Sequence, residues 1–161
     1  FYVFGSPAHI IPQVGIRHGR KILAFTRAGD HQTQEFARAL GAIWAGGAGV
    51  APGEPLDAAI IFAPVGSLVP AALRAVSKGG VVVCAGIHMS DIPSFSYDLL
   101  WGERRVVSVA NLTRRDGDEF LQIAGQINIH TTVHSYSLGQ ANKALEDLRH
   151  GRFSGSAVIT L

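Results

Sequence analysis

Near the start of the chain, Gly5-Ser6-Pro7-Ala8 follows the apolar run Phe1-Tyr2-Val3-Phe4. A glycine at such a corner lets the backbone approach a pyrophosphate, and a helix beginning beyond it offers free N–H groups and a positive dipole end. The dinucleotide fingerprint asks for small residues at three positions, and here they are Val3, Gly5 and Ala8, so two of the three fit. About 20 residues further on, an Asp or Glu would hydrogen-bond a ribose 2′-OH. This sequence has Thr26-Arg27 instead, with no acid before Asp30. A hydroxyl beside a guanidinium suits a 2′-phosphate, because Arg presents two donors to phosphate oxygens. Arg27 also reads as a solvated loop residue. Two later turns, Phe62-Ala63-Pro64-Val65-Gly66 and Ala85-Gly86-Ile87-His88, carry small residues that would let a flat ligand lie across strand ends. The same residues would equally allow close packing of a sheet.

Metal chemistry has weaker footing. Of the seven histidines, His130 and His134 alone are four apart. In a strand that spacing puts them on one face but about 13 Å apart, too far for one zinc. His88 follows a ligand-side turn and reads as a loop residue or, secondarily, as a substrate-side one. Cys84, within VVVCAG, reads as a small buried hydrophobe. Arg104-Arg105 and Arg114-Arg115 read as solvated edges; a nucleic-acid face would need a basic cluster, and the net charge is only +2.

The elements that must position these residues alternate in type. Apolar runs predict strands at Phe1–Gly5, Lys21–Thr26, Ala42–Ala45, Asp57–Ala63, Gly80–Gly86 and Arg105–Ala110. Near-continuous runs such as AAIIFA and VVVCA suit strands covered on both faces of a parallel sheet. Between them, Ser6 is expected to cap a first helix with Pro7 at its first position, and Pro12 to kink or shorten it. Asp30 is expected to cap a second helix that buries Phe36, Ala37 and Leu40 and ends at Gly41. Ser67 should cap a third, with Val69, Ala72, Leu73 and Val76 on one stripe and Gly79 as its stop. Asp116 and Glu119 have capping-box spacing before Phe120, Ile123, Ala124 and Ile127. Ser137 and Gln140 repeat it before Leu138, Ala141, Leu145 and Leu148, and Gly151 follows. Gly46–Pro55 reads as a surface loop.

Alternating strands and helices imply βαβ units and an α/β, doubly wound parallel sheet of Rossmann type. A chain of 161 residues is about one domain long. At 47% hydrophobic and 16% charged it must bury many positions. No run of about 18 apolar residues is present, so no membrane span is expected. One cysteine makes no internal disulfide and fits a reducing cytoplasm. No leader is expected in the sequence as it stands, and its apolar start suggests a chain cut from something longer.

The stretches AFTRAGDHQTQEFARALGA, LDAAIIFAPVGSLVPAALRAVSKGGVVVCAGIHMSDIP and LLWGERRVVSVANLTRRDGDEF resemble the zinc-dependent alcohol dehydrogenase family of the medium-chain dehydrogenase/reductase superfamily. The likeness runs through essentially the whole chain. It implies a dinucleotide-binding domain over residues 1–130 and, over residues 131–161, a C-terminal segment returning to a catalytic domain that the chain lacks. It implies NAD(P) as cofactor, with NADP favoured over NAD on the strength of Arg27. Gly5, Ser6, Pro7 and Ala8 would lie along the pyrophosphate, and Thr26 and Arg27 at the adenosine ribose. Phe62, Ala63 and Pro64 would lie beside the adenine side. Ala85, Gly86 and Ile87, with Ala110, Asn111 and Leu112, would flank the nicotinamide. A homodimer would form through His88–Ser96 and the Arg105–Ala110 strand.

The departures are Val3 for the first glycine, Pro12 within the first helix, and Ser156 where many relatives place an arginine. The family's catalytic and structural zinc ligands lie in its N-terminal domain, so this chain carries no catalytic or metal residues of its own. The expectation is a cytoplasmic, NAD(P)-binding fragment of an enzyme acting on a small alcohol or aldehyde, inactive in isolation. The competing expectations are a non-enzymatic nucleotide-binding or dimerisation module, and a fragment of a zinc-free quinone oxidoreductase.

Overall fold

Residues 23–26 are apolar or β-branched enough to sit in a fully covered strand, and the strand Leu23–Thr26 (β1) is buried at every position. The structure, a computed structural model, describes residues 9–161. The strand expected at Phe1–Gly5, the Ser6–Pro7 helix start and the Gly5–Ala8 turn lie outside the described residues.

Successive side chains of β1 leave by opposite faces and found two cores. Ile22 and Ala24 join Ala37, Ala42 and Ala45, with Phe36 and Leu40 packed against them. Leu23 and Phe25 join Leu56, Ala59, Ile61, Val69, Ala72, Leu73, Val76 and Val82. The first core is roofed by the helix His31–Ala39 (α2) and the second by the helix Leu68–Ala75 (α3). Helices on both faces are what a doubly wound sheet requires. Every strand pairing among the described residues is parallel: β1 with Trp44–Gly47 (β2), and Leu56–Ile61 (β3) with Val76–Cys84 (β4) and then Arg105–Ser108 (β5).

Several boundaries differ from expectation for identifiable reasons. The helix Ile11–Arg17 (α1) has Pro12 in its first turn, where the missing N–H is harmless, so Pro12 starts this helix and does not kink it. Asp30 caps α2 as expected, its Oδ1 accepting from the Thr33 N–H at 3.0 Å, and Gly41 follows with φ +97°. Ala42 donates back to the Ala37 carbonyl and closes that helix, which delays β2 to Trp44. Ser67 makes no side-chain cap. Nor does Gly79 stop α3: the chain turns directly from Ala75 into β4 at Val76, and Gly79, at φ +76°, sits in an irregular stretch where the β3–β4 register jumps.

The second half is less covered. Thr113, not Asp116, caps the helix Arg114–Gln126 (α4): its Oγ accepts from the Asp116 N–H, and the Asp116 carboxylate accepts from the Thr113 N–H at 2.7 Å. Those bonds hold the Asp116 carboxyl below its ordinary value. No residue of α4 is buried, Phe120 stays exposed, and β5 is exposed along its length.

Beyond α4, Val133–Ser137 (β6) pairs in parallel with Ser156–Thr160 (β7), joined through the helix Ala141–Arg149 (α5). The expected box is present in part, since the Ser137 N–H donates to Gln140 Oε1 at 3.1 Å on a single 3-10 turn before α5. The expected buried stripe is not. Leu138, Leu145 and Leu148 are exposed, and α5 buries Ala144 and Asp147 instead.

Asp147 explains that choice. Its carboxylate receives Lys143 Nζ at 2.7 Å, an Arg152 guanidinium N–H at 2.8 Å and the Tyr136 hydroxyl at 3.1 Å, with the side chain only 7% exposed. A buried carboxylate needs such partners. The Lys143 bond foremost, then Arg152, holds its pKa at about 2, below the ordinary 3.8. A depressed carboxylate stabilises the fold above its unfolded pKa and loses that effect as pH falls through the folded one. The β6–α5–β7 unit is therefore expected to keep full stability above pH about 4 and to lose it towards pH about 2. Asp147→Asn should remove this acid dependence and lower stability at neutral pH, read by urea melts of Tyr136 fluorescence across that range.

Candidate functional site

In an open parallel sheet, ligands bind where the strands end at their carboxyl edge. The described ends to inspect are those of β1, β3, β4 and β5.

At β3 and β4 two turns are pressed together. The Ile61 carbonyl accepts from both Ala85 N–H, at 2.8 Å, and Gly86 N–H, at 3.2 Å. A Cβ on Gly86 would stand 2.9 Å from the Phe62 carbonyl oxygen and 3.1 Å from the Ala63 backbone, so only glycine fits without displacement. Phe62 packs on the α2-side core while Ala63 is buried, and Pro64 is exposed. Ala85 and Gly86 are half-buried and Ile87 is exposed. The result is a low, mostly apolar shelf that presents Pro64, Val65 and Ile87 at the strand ends.

A second tie lies just beyond it. Gly66 N–H donates to Ser90 Oγ at 2.9 Å, and Ser90 N–H donates to the Pro64 carbonyl at 3.2 Å. A Cβ at Gly66 would collide with the Ser90 and Asp91 carbonyls. Ser90 was not legible from sequence, because its role depends on a partner 24 residues away. His88 is an exposed loop residue at φ 56°. Along the same edge, Val109 N–H donates to the Cys84 carbonyl, and Ala110, Asn111 and Leu112 follow exposed. Burial pushes the Cys84 thiol pKa up, as suits an unreactive packing residue.

At the end of β1 the expected pair divides. Thr26 is 1% exposed; its Oγ1 donates to the Arg27 carbonyl at 3.0 Å and accepts from Gln34 Nε2 at 3.0 Å. The hydroxyl is thus engaged in tying α2 to the strand end. Arg27, the residue after β1, is exposed and makes no salt bridge among the described residues. Ser156 begins β7 with its N–H on the Thr132 carbonyl.

The structure thus brings Phe62–Pro64 together with Ala85–Ile87, sets 110–112 at the end of the neighbouring strand, and leaves Gly5–Ala8 outside the described residues. Among the described residues no three His, Cys, Asp or Glu side chains gather to hold a metal ion. His134 instead lies with Nε2 3.1 Å from the Ser154 carbonyl and its ring against Phe153. Arg104 is not a simple solvated charge either, since it donates to the Val76 and Trp101 carbonyls. No helix of the described residues is long and apolar enough to cross a membrane.

No protein-family model matches the chain. It is 45% identical, over 99% of its length, to a probable alcohol dehydrogenase AdhA of Mycobacterium tuberculosis, of which it covers 46%. It is 26% identical over 96% of its length to an alcohol dehydrogenase of Moraxella, covering 48% of that protein. The chain spans about half the length of the curated relatives it matches. Among solved structures, it superposes with TM-score 0.85 at 20% identity on acetophenone reductase from Geotrichum candidum in complex with NAD, covering 99% of this chain and 47% of that one. It superposes with TM-score 0.82 at 18% identity on CAD from Helicobacter pylori complexed with NADP(H), covering 97% and 45%. The folds agree with a Rossmann-type cofactor-binding half, and along its whole length the chain is similar in sequence to the C-terminal portion of alcohol dehydrogenases.

Proposed function

We propose that this chain is the NAD(P)-binding portion of an alcohol dehydrogenase, together with the segment that returns to the catalytic part. The observation that carries the reading is the Gly86 contact: two strand-end turns joined at backbone distance make a shelf that a planar ring can lie on. The cofactor would run from Gly5, Ser6, Pro7 and Ala8 at its pyrophosphate to the nicotinamide beside Ala85, Gly86, Ile87, Ala110, Asn111 and Leu112. Phe62, Ala63 and Pro64 would lie along the adenine side. When bound, the nicotinamide accepts a hydride from the alcohol or returns it to the aldehyde. This chain's part is to position that ring. The solved neighbours complexed with NAD and with NADP(H) support a nicotinamide cofactor.

At the ribose, Arg27 is the group left to meet a 2′-phosphate, because the Thr26 hydroxyl is already committed to Gln34 and the Arg27 carbonyl. NADP is therefore the favoured cofactor. Zinc does not fit the described residues, so no step is assigned to it in this chain; any metal would be held by the remaining half of the parent. The isolated chain is correspondingly inactive and acts in a cytoplasmic parent enzyme.

The self-contact runs through the β5 edge. An open groove of about 460 Å³, lined by Val69, Ile92, Phe95, Leu100, Arg104 and 105–107, runs beside that strand. Val106, Val107, Tyr97 and Trp101 around it are exposed. An unpaired apolar strand edge invites a second copy.

Four measurements test this reading. In calorimetry the chain is expected to bind NADPH more tightly than NADH, and absence of binding at millimolar cofactor would overturn it in favour of a non-enzymatic module. Arg27→Ala should weaken NADPH by roughly ten- to a hundredfold, the loss of a charge-assisted hydrogen bond of about 1.5–3 kcal/mol, and leave NADH nearly unchanged. Gly86→Ala should lower stability by about 1–3 kcal/mol through overpacking against Phe62 and loosen both cofactors together. In sedimentation the chain should run as a dimer, and Val107→Lys as a monomer of unchanged secondary structure.

A further inference from the structure

Four hydrogen bonds close a ring around the turn that carries Arg27. Gln34 Nε2 donates to Thr26 Oγ1 at 3.0 Å, and Thr26 Oγ1 donates to the Arg27 carbonyl at 3.0 Å. That carbonyl also accepts from the Asp30 N–H at 3.2 Å, and the Asp30 carbonyl accepts from the Gln34 N–H at 3.1 Å. The ring thus returns to Gln34, where it began. Its two polar side chains are covered, Thr26 being 1% and Gln34 7% exposed, so a lost partner there is not readily replaced by water. Within the ring, residues 27–30 form a β-turn whose third residue, Gly29, has φ +77°, the value a type II turn needs at that place. Arg27 opens the turn, exposed and without a salt bridge among the described residues. One link has an alternative. A hydroxyl carries a single proton, and the Gly46 carbonyl of β2 stands 3.4 Å from Thr26 Oγ1 as a second acceptor.

We propose that Gln34 is a positioning residue that sets cofactor choice: it holds the Thr26 hydroxyl on the Arg27 carbonyl, and so fixes the point from which the Arg27 guanidinium meets the 2′-phosphate of NADP. The link to cofactor rests on the function proposed above; the ring itself does not. Without the Gln34 N–H on its oxygen, the Thr26 hydroxyl is free to turn to Gly46 and release the Arg27 carbonyl. The same bonds explain why Thr26 does not read the ribose. Its proton goes to Arg27 and its oxygen to Gln34, so selection passes to the exposed guanidinium. A backbone already fixed lowers the ordering cost of that side chain's contact with phosphate, although Gln34 itself never touches the ligand. NADH has a hydroxyl where NADP has the phosphate, and draws no benefit from the ring.

The test measures NADPH and NADH binding by calorimetry, with urea melts, in the full 161-residue chain carrying Gln34→Leu, Thr26→Val or both. Each single variant strands one buried partner and should lower stability, whereas the double variant removes both partners and should recover most of it. All three are expected to weaken NADPH about fivefold and to leave NADH within about twofold. NADPH affinity that returns with stability in the double variant marks a merely structural role and overturns the proposal, as does equal weakening of the two cofactors. In an Arg27→Ala background Q34L should cost NADPH nothing more; a further loss of about fivefold there also overturns it. If a single variant unfolds, the double variant carries the test. If the unmodified chain binds no NADPH, the cofactor reading fails and the choice of cofactor falls with it. The ring is then decided by amide hydrogen exchange: it stands if Q34L speeds the Asp30 amide, whose acceptor is the Arg27 carbonyl, while the β4 amides Val81–Val83 keep their rates. An unchanged Asp30 rate overturns it.

Discussion

Gly86 lies against the carbonyls of Phe62 and Ala63 at a distance no side chain would tolerate, and the Ile61 carbonyl accepts from two successive N–H groups of the turn that contains it. That contact sets where β4 stops. It also sets the height of the shelf at the carboxyl edge, since both turns leave their strands at the same level. Below the contact, the register Ala59↔Val82 and Ile61↔Cys84 is held by α3, whose Val69, Ala72 and Leu73 pack on the same face. Above it, the Gly66–Ser90–Pro64 bonds tie the loop after β4 to the turn after β3. A parallel sheet has no hairpins to fix its edge, so backbone-to-backbone packing between neighbouring turns does that work here.

The molecule is unequally covered. β1 is buried on both faces, whereas β5 and α4 bury no residue, and α5 turns its two leucines, Leu145 and Leu148, outward. For α5 the reason is electrostatic. Once Asp147 is desolvated it must face Lys143, Arg152 and Tyr136, and helical geometry then sends Leu145 and Leu148 the other way. An apolar stripe left open in this manner marks a surface made for a partner. On the proposed reading that partner is the remaining half of a parent enzyme, as relatives about twice the length of this chain suggest.

Local signals carried the sequence reading as far as local physics reaches. The apolar runs located the described strands, Asp30 and Gly41 bounded α2, and alternation of elements led to a parallel doubly wound sheet. Boundaries moved where a neighbour's hydrogen bonds decided them: Ala42 closes a helix before it can begin a strand, and Val76 enters β4 without a stop signal. The Leu138–Leu145–Leu148 stripe misled because periodicity shows which residues share a face, not which face is covered. Gln13 and Ser90 were invisible for a different reason. Their partners, His130 and Gly66, are distant in sequence, and nothing in either residue type distinguishes a long-range tie from a solvated surface group.

The end of β1 shows how such ties bear on chemistry. Thr26 and Arg27 are adjacent and were read as one recognition pair; Thr26 ends β1 and is buried, whereas Arg27 lies just past the strand and is exposed. Thr26 is drawn inward, where Gln34 of α2 satisfies its hydroxyl, and this bond pins the start of the loop whose next residue is Arg27. A guanidinium on a loose loop would lose most of its selectivity to side-chain and backbone entropy. Anchored one residue upstream to a buried hydrogen bond, it departs from a fixed point at the sheet edge. The division of labour is thus between a buried residue that fixes position and an exposed one that supplies charge. The preference for a 2′-phosphate, on this reading, depends on Gln34 as well as on Arg27.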